Sequence, residues 1–306
     1  MRLIKNYLID LSEDPAKNIL EFEGKYYEID WLGETGKIIH GGNGVVYKLV
    51  DSETGEEFVI KYCRYSYEEA RADWVIEKRV KRFEREIEAL GIAKENGLDN
   101  VIDMKFHGEA NISGDTIRFY VMDLCDCNLK EYLNNPKNAI TPSQKLLLCS
   151  KILNGVRNLN EYYLYHRDIK RENILFIGNE PYVSDLGLVA NRNSEFRLNE
   201  RGELIGPIGW FSPEAINKHY VEKLPNPYNL DCVLNGKSDV FHLGELFWYI
   251  FQGNLPIGQI KNEDFVVKDE DLYEIIFLML QHAKRRRPTI DEVDVQLKKL
   301  FPKYNL

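Results

Sequence analysis

The sequence predicts an α+β chain in two parts, a smaller one built on an antiparallel sheet with one main helix and a larger, mainly α-helical one. Three observations carry this expectation. At 306 residues the chain exceeds a typical single domain, so two lobes or two domains are expected. Apolar runs of strand type, among them Phe58-Val59-Ile60 and residues 117–124, fall before residue 125. After it, apolar residues recur at helical spacing, as in Leu146, Leu147, Ile152, Leu153, Val156 and Leu159.

Composition narrows the class. A hydrophobic share of 44% and a charged share of 29%, without repeats or biased tracts, describe a soluble globular protein. The net charge of −9 argues against nucleic acid as an obligatory partner, because phosphate backbones are bound through clustered Lys and Arg. Cys63, Cys125, Cys127, Cys149 and Cys232 are odd in number and irregularly spaced, which suggests reduced thiols in the cytoplasm and no disulfide framework. Cys125-x-Cys127 lacks the gap and the second ligand pair of structural zinc. No apolar run of about 18 residues occurs, so neither a membrane span nor a signal peptide is expected.

Along the chain, Leu3, Ile4, Tyr7, Leu8 and Leu11 recur at helical spacing, which predicts a short amphipathic helix ended by Asp14-Pro15. Residues 19–31 read as strands around a Glu23-Gly24-Lys25 turn, and residues 1–36 as an N-terminal extension packed on the smaller lobe. Ile39-His40-Gly41-Gly42-Asn43-Gly44-Val45-Val46 is a glycine-rich turn between apolar strands, which lets backbone N–H groups approach phosphates. Lys61 ends an apolar strand. Ile76, Val80, Phe83, Ile87 and Leu90 then predict a helix able to offer it a carboxylate. Residues 101–106 and 117–124 predict two further strands.

The stretch Tyr165-His166-Arg167-Asp168-Ile169-Lys170-Arg171-Glu172-Asn173-Ile174-Leu175 concentrates acid, base and metal-ligand groups between apolar residues. An Asp five residues before an Asn can face a substrate hydroxyl while the Asn holds a divalent cation, with Lys170 supplying positive charge between them.

His166-Arg167-Asp168 followed by Asn173 resembles the H-R-D-x-x-x-x-N signature of protein kinases. Other kinase elements follow in family order over residues 37–301, and the chain resembles the eukaryotic-like (Hanks-type) protein kinase family, Ser/Thr class. The resemblance implies a bilobal fold, with residues 37–123 as the N-lobe and 124–306 as the C-lobe. It also implies an ATP- and Mg²⁺-dependent transfer to Ser or Thr of proteins, with autophosphorylation. By the same resemblance Asp168 orients the acceptor hydroxyl and Lys170 neutralises γ-phosphate charge. Lys61, held by Glu86, fixes the α/β-phosphates, with Glu88 the alternative if the helix register is shifted. Asn173 and the Asp185 of Ser184-Asp185-Leu186-Gly187 hold metal. The nucleotide is expected against Ile39, Gly41, Gly42, Asn43, Gly44, Val46 and Val59, the hinge residues Met122, Asp123 and Cys125, and Leu175. Asp126 or Asn128 meets the ribose, and Met122 guards the rear of the pocket as a buried residue.

Structural roles also follow from the resemblance. Leu90, Met104, His166 and Leu186 form an apolar stack anchored by Asp239, which accepts hydrogen bonds from the catalytic-loop backbone. Glu214 of Ser212-Pro213-Glu214 pairs with Arg287. Arg167 resembles the arginine of kinases organised by phosphorylation of the activation segment, here residues 188–205, with Ser194 the candidate phosphosite. Arg192, Arg197 and Arg201 could equally meet Glu195, Glu200 or Glu203, and activity without phosphorylation is the favoured expectation. Residues 216–237 read as a loop insertion, and they and the N-terminal thirty or so residues are the expected places for partner contacts.

Three departures stand out. Ile39 replaces the first glycine, Leu186 replaces the Phe of D-F-G, and Pro207 stands where a threonine is usual. They leave a pseudokinase scaffold as one rival; a small-molecule kinase of related fold is the other, disfavoured by Ser212-Pro213-Glu214 and Arg287. Oligomeric state is left open.

Overall fold

The computed structural model describes residues 1–4, 8–40, 43–71, 73–191, 202–225, 229–256 and 258–306. The chain divides into two compact units, one of Met1–Asn96 with Ile102–Leu124 and one of Gly97–Val101 with Cys125–Leu306.

The smaller unit begins with β1 (Arg2–Ile4) and β2 (Leu8–Asp10), paired antiparallel. This overturns the expected N-terminal helix; its Tyr7 lies outside the described residues. So short a segment cannot sustain a helix alone. Ile9 and Leu11, two apart, are buried, and the Ile9 carbonyl accepts the Tyr47 hydroxyl instead of a helical N–H. The hairpin expected next is present as β3 (Ile19–Phe22) and β4 (Lys25–Asp30), with Glu23 and Gly24 both at positive φ as a tight hairpin turn requires.

β5 (Ile39–His40), β6 (Gly44–Asp51), β7 (Glu57–Cys63), β8 (Met104–Ile112) and β9 (Asp115–Asp123) complete a seven-stranded antiparallel sheet in the order β3-β4-β6-β7-β9-β8, with β5 also on β6. Asp30 pairs with Lys48 and Ile39 with Val46, so β4 and β5 share the track along β6 and residues 31–38 loop out between them. The β3–β4 hairpin is therefore part of the sheet, whereas β1 and β2 form a separate two-stranded one. Phe22 of β3 stacks on Phe106 at 5.1 Å between ring centres and meets Phe119 edge-on at 5.4 Å. Gly108 makes this approach possible, because a Cβ there would lie 2.4 Å from the Phe22 ring.

After the short α1 (Tyr67–Ala70), α2 (Trp74–Glu95) is the main helix of this unit. Asp73 caps it through the Val75 N–H, and Val80, Phe83, Glu86, Ile87, Leu90 and Ala93 form its buried stripe. The strand expected from residue 101 starts at Met104. Val101 bridges Val183 instead, and the Asn100 carbonyl accepts the Val183 N–H, so that backbone belongs to the larger unit.

The larger unit opens with β10 (Cys127–Asn128), α3 (Leu129–Asn134) and α4 (Pro142–Glu161). Asn128 with Glu131 and Thr141 with Gln144 form capping boxes, so α3 and α4 are separate helices. In α4 the buried residue beside Leu146 is Leu148, and Leu147 faces outward. β11 (Leu164–Tyr165), β12 (Ile174–Ile177), β13 (Glu180–Val183) and β14 (Ala190–Asn191) frame the catalytic loop, β12 pairing with β10 and β13 and β11 with β14. α5 (Pro213–Val221), α6 (Gly236–Gln252), α7 (Glu270–Met279) and α8 (Ile290–Leu300) follow. The loop expected over 216–237 is thus shorter, since α5 takes its start, and Asn235 caps α6 two residues before Lys237 ends the expected loop. Residues 226–228 of it, with Asn226 and Pro227, lie outside the described residues.

Residues 238–251 of α6 are all buried, as a helix at the centre of a helical core must be. Two of its buried polar groups lie one turn apart. Neither ring nitrogen of His242 has a hydrogen-bond partner among the described residues, and burial lowers its pKa to about 3. Burial pushes Glu245 up to about 9. Between its ordinary 4.5 and about 9, the folded Glu245 keeps a proton that the unfolded chain releases, so stability falls as pH rises through that window. Glu245→Gln removes this dependence. Its Tm is expected to exceed wild type increasingly from pH 6 to pH 9, by up to about 1.4 kcal/mol of stability per pH unit. Parallel Tm profiles against pH would contradict it.

Candidate active site

In the smaller unit the site is built on β6, β7, β9 and α2. Lys61 on β7 lies opposite Val46 of β6 and Tyr120 of β9. Its Nζ is 2.8 Å from Glu86 Oε1, with the Lys61 side chain 12% exposed and that of Glu86 fully buried. Of the carboxylates on α2, the structure places Glu86 on the lysine, while Glu84 pairs with Arg118 at 3.2 Å. The Tyr120 hydroxyl donates to the same Glu86 oxygen at 2.9 Å, and Lys61 lies 5.6 Å from the Tyr120 ring centre. Tyr120 was not foreseen, because a strand tyrosine carries no motif.

Gly44 explains itself by what a side chain would strike: a Cβ there would lie 2.9 Å from Lys61 Cε and 3.0 Å from the Tyr62 carbonyl. Of the other loop residues, the Asn43 carbonyl accepts the Arg64 N–H, Ile39 is exposed, and Gly41 and Gly42 lie outside the described residues. Val59 is buried opposite Met122. Met122 itself is half-buried, against the expectation of a buried residue, because it sits near the end of β9. Lys105 holds the Asp123 carboxylate at 2.8 Å. Leu90 and Met104 are both buried within this unit.

In the larger unit the catalytic loop hangs from one buried acid of α6. Asp239 accepts the backbone N–H of His166 at 2.9 Å and of Arg167 at 2.8 Å, and the Asn160 amide at 3.2 Å. The Asp168 N–H donates to His166 Nδ1 at 3.2 Å, which places the imidazole proton on Nε2, facing the Ser184 carbonyl at 3.0 Å. Arg167, at φ +64°, donates from Nε to the Leu188 carbonyl at 2.7 Å.

Asp168 is 7% exposed. Its Oδ2 accepts Lys170 Nζ at 2.8 Å and Asn173 Nδ2 at 3.0 Å, and Asn173 Nδ2 also donates to the Asp168 carbonyl at 2.8 Å. Burial raises the Asp168 pKa, Lys170 opposes the rise, and Asp185 adds to it. The Ser184 hydroxyl and N–H both bond the Asn173 carbonyl at 2.9 Å, tying β12 to the Asp185 turn. Asp185 is exposed in a left-handed conformation at φ +58°, while Leu186 behind it is fully buried.

With both its amide hydrogens on Asp168, Asn173 keeps Oδ1 as an oxygen donor, and Asp185 adds a carboxylate. Among the described residues no three His, Cys, Asp or Glu side chains gather as a metal site. Two oxygen donors completed by phosphate oxygens suit Mg²⁺, which binds in this manner.

Leu175 is half-buried on β12. Asp126 Oδ2 accepts the Gly178 N–H at 2.7 Å, and the Asn128 side chain caps α3 at the Glu131 N–H at 3.0 Å, so both expected ribose contacts already hold backbone groups. Glu214 and Arg287 form two parallel hydrogen bonds of 2.8 and 2.9 Å, with side chains 2% and 0% exposed. Arg171 was not foreseen: its guanidinium lies 4.9 Å from the Tyr249 ring centre and 6.0 Å from that of Trp210, joining the catalytic loop to the segment before α5. Pro207 is buried, and its carbonyl accepts the Trp210 N–H. Arg192, Ser194, Glu195, Arg197, Glu200 and Arg201 lie outside the described residues.

A sheet unit carrying a lysine–glutamate pair, with a helical unit whose acid, lysine and amide converge on one loop, is the α+β kinase-type fold. The protein kinase domain family matches residues 33–304, and the chain belongs to that family. Among its curated relatives, the chain is 25% identical over 253 residues to the serine/threonine-protein kinase pakA of Dictyostelium discoideum, covering 82% of this chain and 17% of that protein. It is 26% identical over 221 residues to the serine/threonine-protein kinase PrkC of Bacillus subtilis, covering 71% and 29%. It is 25% identical over 258 residues to the probable serine/threonine-protein kinase pknA2 of Bifidobacterium longum, covering 83% and 30%. The chain thus spans less than a third of the length of each of these relatives.

Proposed function

We propose that this domain transfers the γ-phosphoryl group of ATP to Ser or Thr hydroxyls of protein substrates. The observation that carries the reading is the convergence of Lys170 and Asn173 on one oxygen of a buried Asp168. Asp168 Oδ2 is thereby fixed, and Oδ1 is the oxygen left to orient the acceptor hydroxyl and take its proton as the bond to phosphorus forms. Lys170 stabilises negative charge on the transferring group, and Lys61, held straight by Glu86, does so on the α/β-phosphates. Asn173 and Asp185 would hold Mg²⁺, which when bound neutralises phosphate charge and aligns the γ-phosphate.

The Ser/Thr class is supported by Lys170 two residues after the Asp and by the relatives, which are named as serine/threonine-protein kinases. A catalytic loop organised without phosphate on Ser194 is supported by Arg167, which holds the Leu188 carbonyl. No helix among the described residues is long and apolar enough to cross a membrane, and none of the five cysteines forms a disulfide. The five free thiols support a cytoplasmic site of action.

The test incubates the protein with ATP, Mg²⁺ and a generic protein substrate and maps phosphate by mass spectrometry, beside Lys61→Met. Phosphoserine or phosphothreonine is expected in wild type, with Lys61→Met slower by about 10²–10³-fold. Transfer that Lys61→Met leaves unchanged, or none from wild type, would refute the reading.

A further inference from the structure

Tyr120 meets the lysine–glutamate pair from the side of the sheet. It lies directly opposite Lys61 in the pairing of β9 with β7, so the two side chains leave the sheet on one face. Its hydroxyl donates to Glu86 Oε1 at 2.9 Å, the oxygen that also takes Lys61 Nζ at 2.8 Å. Its ring packs against that of Phe83, one turn before Glu86 on α2, at 5.6 Å between centres. The Lys61 ammonium lies 5.6 Å from the same ring centre. Tyr120, Phe83 and Glu86 are all buried.

We infer that Tyr120 is a positioning residue for phosphoryl transfer: its hydroxyl fixes the Glu86 carboxylate, and through it the Lys61 ammonium, before nucleotide arrives. The inference rests on the kinase reading for its effect on transfer, and on the geometry alone for the lock itself. A phenylalanine would fill the same space against Phe83, so packing does not call for the hydroxyl. What the hydroxyl adds is a second donor on one oxygen of a carboxylate that is wholly out of water, and hydrogen bonds to a charged acceptor are among the stronger ones. Stiffness decides which member leads. Lysine and glutamate are among the side chains richest in rotamers, whereas a tyrosine has only two side-chain torsions, and here its ring is enclosed between the sheet and α2. The phenol is therefore the fixed point from which carboxylate and ammonium take their places. Helix α2 cannot leave the sheet without breaking the Tyr120 and Lys61 bonds to Glu86 together and parting Phe83 from Tyr120. Strand β9 itself thus holds the pair formed.

The test is Tyr120→Phe, which keeps the ring and removes the hydroxyl alone. Two quantities are read. One is the rate at which acetic anhydride labels Lys61 in the nucleotide-free protein, followed by mass spectrometry against Lys17, whose side chain is 70% exposed. The other is phosphoryl transfer at limiting ATP, with Tyr120→Phe made both in wild type and in Lys61→Met. Tyr120→Phe should label about five- to tenfold faster at Lys61 and lower transfer about tenfold, with KM for the protein substrate unchanged. In Lys61→Met it should cost nothing further, because Tyr120 acts through Lys61. Tyr62→Phe, which removes a buried hydroxyl without a hydrogen-bond partner among the described residues, should match wild type in both measurements. Unchanged labelling of Lys61 in Tyr120→Phe would overturn the proposal, as would an equal loss of transfer in wild type and in Lys61→Met. No transfer from wild type, with Lys61 still labelled faster in Tyr120→Phe, would refute the kinase reading while supporting the lock.

Discussion

Asp168→Asn is expected to lower phosphoryl transfer by about 10²–10⁴-fold and to leave the protein folded, with a Tm equal to or slightly above wild type. The substitution preserves shape, and an amide oxygen in place of Oδ2 still accepts Lys170 and Asn173. What it removes is the proton acceptor. Burial already works against the charged form of Asp168, which is why its pKa is raised, so a neutral group there relieves a cost of folding. Initial rates with saturating ATP, read beside a thermal melt, separate the two effects. A variant that transfers phosphate at the wild-type rate would remove Asp168 from the chemistry, and one that melts far below wild type would make the residue structural.

Arg287→Ala is expected to be the most destabilising single change, costing about 3–5 kcal/mol and lowering Tm by roughly 10 °C. All five N–H groups of this guanidinium are used. Nε donates to the Gln281 carbonyl at 2.6 Å, Nη1 to Glu214 and the Lys237 carbonyl at 2.8 and 2.9 Å, and Nη2 to Glu214 and the His282 carbonyl at 2.9 and 3.2 Å. The Phe241 ring lies beneath it, 4.7 Å from centre to Cζ. Truncation therefore strands a buried carboxylate whose pKa its partner holds low, together with three carbonyls. Arg287→Lys should recover little, since an ammonium has three donors and no planar fork. Adding Glu214→Leu to Arg287→Ala should restore part of the loss by removing the stranded charge. Thermal melts of the four proteins test this, and a single variant within about 1 kcal/mol of wild type would contradict it.

Residues whose chemistry requires a fixed spacing were legible in the sequence. Asp168, Lys170 and Asn173 are close in the chain, so their convergence needs only a loop. The Lys61–Glu86 and Glu214–Arg287 pairs span long separations, yet the family order of motifs named them. Contacts resting on residues of no special type were not legible. Tyr120 on Glu86 is set by the pairing of β7 with β9, and Arg171 on Tyr249 by the packing of α6. The N-terminal segment misled because Leu3, Ile4, Tyr7, Leu8 and Leu11 fit a helical period, while the Tyr47 hydroxyl that claims the Ile9 carbonyl lies far along the chain. Val101 misled for a similar reason, its backbone being taken by Val183.

The loop between β4 and β5 has a meaning for how such a chain tolerates change in length. Pairing along β6 stops at Asp30 and resumes at Ile39 in the same direction, so the register on either side does not depend on what residues 31–38 contain. Gly33 and Gly36 turn there at positive φ and residues 33–37 are exposed. Doubling such a loop costs only about 0.6 kcal/mol of closure entropy. β5 is thus insulated from its own upstream sequence, and residues 33–37 are the place to graft a peptide tag or a reporter without moving Gly44 relative to Lys61.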